Sequence, residues 1–89
     1  MDQIIDTAMA EALQDDGIRA NALVGWVITQ DPAAHSGRVV ARLLTSRPTP
    51  YVLLADTLAD IHAMLPPGLE RSARQRHDPP DVLETWFVR

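Results

Sequence analysis

Three histidines, His35, His62 and His77, and the aspartates Asp56 and Asp60 are the side chains best suited to acid-base or metal chemistry. An imidazole that titrates near neutral pH can carry a proton or hold a metal, and two carboxylates one helical turn apart can share a cation or a proton. Spacing speaks against both uses. The histidines match no helical metal pair, and Asp56 and Asp60 fall opposite the apolar stripe of the helix expected around them, where carboxylates are solvated or meet an arginine. A metal site of His62 with Asp56 or Asp60 is the one combination proximity offers, and nothing in its spacing is specific. Arg71, Arg74 and Arg76, with His77 alongside, form a basic cluster suited to a phosphate or to an acidic patch on a protein. The chain around it is acidic, with a formal net charge of −4, whereas nucleic-acid binding calls for a basic face interleaved with aromatics.

All eight basic residues are arginine, so Schiff-base chemistry and a phosphate-loop lysine are excluded. The glycines Gly17, Gly25, Gly37 and Gly68 are scattered and make no phosphate cradle. No catalytic, cofactor or metal residue follows from these patterns, and a non-enzymatic protein is the expectation. Cysteine is absent, which removes disulfides and thiolate metal ligands as remedies for the limited core of an 89-residue chain. With 46% apolar and 22% charged residues the composition is that of an ordinary globular domain and not of a disordered segment. Asp2 and Asp6 stand where a signal peptide would carry positive charge, and no apolar run approaches membrane length. A single cytoplasmic domain over residues 1–89 is expected, without membrane contact.

The elements that would position these side chains are read from periodicity. Tyr51, Leu54, Leu58, Ile61 and Leu65 recur at three and four residues, which predicts a helix over Pro50 to Leu65, with Thr49 as its N-cap and Pro66-Pro67 as its stop. Ile4, Ile5, Ala8, Met9, Ala12 and Leu13 predict a first helix from about Asp2 to Asp15, ended by Gly17. Leu23 to Thr29 and Arg38 to Thr45 are rich in branched residues and predict a hairpin, while Pro66 to Pro80 reads as a long exposed connection. Asp81 to Val88 fits either a helix capped by Asp78 and Pro79, with Val82, Leu83, Trp86 and Phe87 as its stripe, or a third strand, which Thr85 to Val88 favour and which is placed beside the first and parallel to the second. The expected fold is α+β, helix-strand-strand-helix-strand, a small three-stranded sheet with two helices on one face.

The stretches GWVITQ, TPYVLLADTLADIHAML, LPPGL and DPPDVLETWF resemble the small hypothetical accessory proteins of actinobacterial bacteriophages. That resemblance implies a protein that binds a host protein in the host cytoplasm, and it brings no catalytic residue. The strands themselves point to association. Both faces of each are apolar, with Val24, Trp26 and Ile28 alternating with Leu23 and Val27, and with Arg42 interrupting the second strand. Helices on one face would leave the other open, which a soluble monomer seldom tolerates. The sequence therefore predicts an interaction module that forms a homodimer, with Trp26, Arg42, Arg71, Arg74, Arg76 and Trp86 as partner-binding residues and nucleic acid disfavoured. The alternatives are a small enzyme or ligand-binding domain using His and Asp side chains, or a nucleic-acid binder acting through Arg71 to Arg76.

Overall fold

The computed structural model describes residues 2–20, 23–30, 36–46, 48–72 and 81–88. Its elements are β1 (Gln3–Ile4), α1 (Thr7–Arg19), β2 (Gly25–Gln30), β3 (Val39–Leu44), β4 (Pro48–Ala55), α2 (Leu58–Met64), β5 (Leu69–Ser72) and β6 (Val82–Val88). In chain order this is a β-α-β-β unit met twice. All six strands join one sheet in the order β1-β4-β3-β2-β6-β5. The α+β character stands, but the sheet has six strands and not the expected three. β1 and β5 are too short to carry a sequence signal, and β4 is hidden inside the stretch that reads as a helix.

Residues 51–55 explain the misreading. YVLLA is a continuous apolar run, and periodicity alone cannot tell a doubly buried strand from a helix over such a run. As a strand it sends Leu53 and Ala55 into the main core and Val52 to the other face, with Val52 and Leu53 both 0% exposed. Thr49 is therefore a strand residue and not a cap: its hydroxyl donates to the Leu43 carbonyl at 2.6 Å, across the point where the β3–β4 register slips. Pro50 is tolerated because of its parity. Val52 turns its carbonyl outward to accept from the Ile5 N–H at 2.9 Å, so two residues earlier the missing N–H of Pro50 also points away from β3 and breaks no ladder bond.

The helix begins only at Thr57, whose side chain accepts from the Asp60 N–H at 3.1 Å. It ends at Met64, ahead of Pro66 and Pro67, where the prolines demand. The first helix also starts later than its apolar residues suggest. Asp6 is the N-cap, accepting from the Met9 N–H at 2.8 Å, and Gln3–Ile4 instead pairs with β4 in parallel. Gly17 does not end α1 but lies within it. A Cβ there would stand 2.5 Å from Val24 Cγ2, so glycine lets the helix approach the start of β2.

Both helices cover one face. Ala10 of α1 and Ile61 of α2 share a buried cluster with Val24, Trp26, Ile28, Val39, Ala41, Leu43, Leu53 and Ala55. The register then assigns the rest of the sheet: Trp86 stands opposite Trp26, Glu84 opposite Ile28 and Arg71 opposite Trp86, all on the helix side. The connection expected to be exposed from Pro66 to Pro80 contains β5, antiparallel to β6. The three strands marked by the sequence are neighbours, β3-β2-β6.

Candidate functional site

On the helix side, β5, β6 and α2 bring three functional side chains around one carboxylate. Strand alternation puts Glu84 and Trp86 on the same face of β6, and the last turn of α2 lowers His62 onto them. His62 Nε2 lies 2.5 Å from Glu84 Oε1, Trp86 Nε1 donates to the same oxygen at 3.0 Å, and Arg71 Nη1 donates to Oε2 at 3.3 Å. The His62 and Trp86 rings meet edge to face, 5.7 Å between centroids. Only 9% of the Glu84 side chain is exposed. Burial by itself would raise its pKa, but the hydrogen bonds from His62 and Trp86 and the charges of His62 and Arg71 outweigh that, and hold the carboxyl below its ordinary value of 4.5.

A carboxylate beside an imidazole can orient a histidine base. Here both carboxylate oxygens are also engaged by Trp86 and Arg71, so Glu84 works as a hub that fixes three side chains. Among the described residues no group of three His, Cys, Asp or Glu side chains is arranged to hold a metal. The combination of His62 with Asp56 or Asp60 that proximity offers does not form. Asp56 precedes the helix and meets Arg38 Nε at 2.8 Å, while Asp60 lies in the first turn of α2, where its backbone N–H completes the cap.

Beside the hub runs a groove of about 180 Å³, lined by His62, Leu65, Pro66, Pro67, Gly68, Leu69 and Trp86. Its floor is anchored from below. The Pro67 carbonyl accepts from Gln14 Nε2 at 2.8 Å, and Gln14 Oε1 accepts from Trp26 Nε1 at 3.0 Å. Gln14 is 3% exposed, and this relay satisfies its buried amide while joining α1 to β2 and to the turn after α2.

The partner-binding residues expected from the sequence are dispersed. Trp26 is 0% exposed and its indole N–H is bonded inside the chain, so it belongs to the core and offers no contact surface. Trp86 is half-buried at the groove. Arg71 belongs to the hub, and Arg74 and Arg76 lie outside the described residues, as do His35 and His77. Arg42 sits on the opposite sheet face, where two of its nitrogens meet the two Asp2 oxygens at 2.8 and 2.9 Å and Nη1 also donates to the Thr49 carbonyl. Between Arg42 and Ile4 in the register lies the fully buried Val52.

Glu84 and Gln14 escape the sequence reading. The strand pattern does place Glu84 on the face of Trp86, yet no spacing connects it to His62. Gln14 falls four residues after Ala10 on the buried side of α1, where an apolar residue would be expected. The opposite sheet face carries Ile4, Val27, Val40, Leu44, Val52, Leu54 and Phe87, and no helix among the described residues lies on it. No helix among the described residues is long and apolar enough to cross a membrane. No protein-family model, curated protein or solved structure matches the chain.

Proposed function

We propose that this chain is a non-enzymatic interaction module that associates with a second copy of itself through the sheet face its helices leave open. The observation that carries this reading is the apolar row on that face, in which half-buried Val27, Leu44, Leu54 and Phe87 surround buried Val40 and Val52, with Ile4 61% exposed at the edge. The half-buried residues of that row and Ile4 lose their remaining water most simply against a second copy, since a twofold axis makes one self-complementary surface cover itself.

Two further points support face-to-face contact over edge pairing. The edge strands are blunted, β1 by its length of two residues and β5 by four residues that include Glu70 and Arg71. Arg42, in the middle of the open face, is already neutralised by both oxygens of Asp2, and Glu70, in register with Phe87, stands out on the short β5 edge. Six strands spaced about 4.8 Å and averaging about 18 Å in length, at about 3.3 Å per residue, give a face of about 500 Å². Two such faces reach the threshold of about 1,000 Å² for a specific interface.

Sedimentation equilibrium at micromolar concentration is expected to give a mass near twice 9.8 kDa. Leu54→Glu should return the mass to that of a monomer with its circular dichroism unchanged, and Val27→Gln offers a second, uncharged disruption. A monomeric wild type across the accessible concentration range would sink the reading.

A further inference from the structure

We propose that the groove beside Glu84 is a binding site for a single aromatic ring, taken from a small free molecule that carries a neutral or anionic substituent. The site lies on the helix side of the sheet, so it does not depend on the dimer face.

The argument starts from the polar atoms of the two aromatic walls. Trp86 presents an indole and His62 an imidazole to the groove, and each would ordinarily ask an incoming ligand for a hydrogen bond. Glu84 has already taken the indole N–H of Trp86 at 3.0 Å and the Nε2 of His62 at 2.5 Å on one oxygen, which leaves Nδ1 as the imidazole nitrogen outside that pairing. The remaining walls are carbon: Leu65, Leu69 and the rings of Pro66 and Pro67. The Pro67 carbonyl is turned to Gln14. Most of what is left facing the groove is apolar and aromatic surface, with a smaller polar share, the ordinary lining of a small-molecule site.

Size selects the ligand. The volume of about 180 Å³ is close to that of an engineered apolar cavity of about 150 Å³ that takes up benzene. It suits one six-membered ring and is well under the 300 Å³ or so where drug-sized pockets begin. The His62–Trp86 edge-to-face pair lets such a ring extend an existing aromatic contact. The walls are also set before the ligand arrives. His62 and Trp86 are pinned to Glu84, Pro67 is pinned through Gln14 to Trp26, and Gly68 makes the turn at φ +85 with nothing within 4 Å of where a Cβ would stand. Prearranged walls lose little freedom on binding.

Charge selects the substituent. Glu84 is enclosed and its oxygens are occupied, so it offers no free acceptor to a cation. Arg71 does not line the groove but stands opposite Trp86 in the register, and at 64% exposure it keeps donors for an anion carried at the groove's rim.

The test uses the whole wild-type chain, and its two tryptophans provide an internal control. Titration with phenol, followed by the indole N–H signals in a proton–nitrogen correlation spectrum, should move the Trp86 signal saturably in the millimolar range while the Trp26 signal stays still. Benzoate should bind at least as tightly. Trp86→Leu, followed at the Gly68 amide, should weaken phenol about tenfold; Leu65→Trp, which fills the groove and leaves the hub intact, should abolish binding. No movement of the Trp86 signal, or equal movement of both, would overturn the proposal. So would benzylammonium binding more tightly than phenol, since the ring would then be following the charge of Glu84. N-acetyl-phenylalaninamide binding at least tenfold more tightly than phenol would reassign the groove to a side chain of a partner protein.

Discussion

Glu84 shows how much one enclosed side chain can govern. Its carboxyl is held below its ordinary 4.5 against the cost of burial, by His62 and Trp86 hydrogen bonds and by the His62 and Arg71 charges. The unfolded chain therefore takes up this proton more readily than the folded one. The stabilisation is fully present above about pH 4.5 and is lost as the pH falls through the lower, folded value. Thermal melts of the wild type should decline over that acid range, and Glu84→Gln should flatten the decline. Glu84→Ala is expected to cost about 1–3 kcal/mol at neutral pH, because Trp86 and His62 are left without their acceptor. Gly17 makes the opposite point about an absent side chain. Alanine is the better helix former, yet Gly17→Ala should destabilise by about 1–3 kcal/mol, since its Cβ would press on Val24 Cγ2 in the core. Adding Val24→Ala should recover part of that loss, and additive melts would mean that the two residues do not touch.

At the scale of the elements, α2 depends on its cap and on one buried side chain. Ile61 is 0% exposed, so Ile61→Ala should cost about 2–5 kcal/mol, whereas Thr57→Ala should cost about 1 kcal/mol by removing the cap to Asp60. Equal costs in chemical denaturation would show that the short helix is held by its terminus and not by packing. Gln14 belongs to this scale because it joins three elements. Gln14→Leu fills similar volume but strands the Trp26 N–H and the Pro67 carbonyl, a loss of about 1–3 kcal/mol, and it should also broaden the signals of the groove residues Pro67 and Gly68. The sequence reading places the cap of α2 at Thr49 and not at Thr57, while its end in Pro66-Pro67 was legible. The strand ahead of it was not, because YVLLA satisfies a helical stripe and a doubly apolar strand equally well.

The whole molecule closes its sheet from its ends. β1 comes from the start of the chain and pairs with β4, and β6 from its end pairs with β2 at the centre. The Asp2–Arg42 pair reaches across β4, and fully buried Val52 lies beneath it in the register. Deleting residues 1–5 should therefore uncover both Val52 and the free edge of β4, and light scattering should report faster aggregation at equal concentration.

Local chemistry decided much of this protein from its residues alone. The hairpin strands, the last strand and the stop at Pro66-Pro67 each rest on contacts or conformational limits within a few residues, and such signals are written along the chain. The apolar character of both strand faces is legible in the same way, and with it the expectation that one face seeks a partner. Tertiary structure decided what depends on distant residues. Gln3–Ile4 is a strand because β4 is there to pair with it, and Leu69–Ser72 because β6 is. Trp26 is core and Trp86 is groove although the two stand opposite each other, because Trp26 meets Gln14 beneath α1, whereas Trp86 lies nearer the sheet edge against His62. The hub at Glu84 joins His62, Arg71 and Trp86 from three elements, and only the folding of the sheet brings them within a hydrogen bond of one carboxylate.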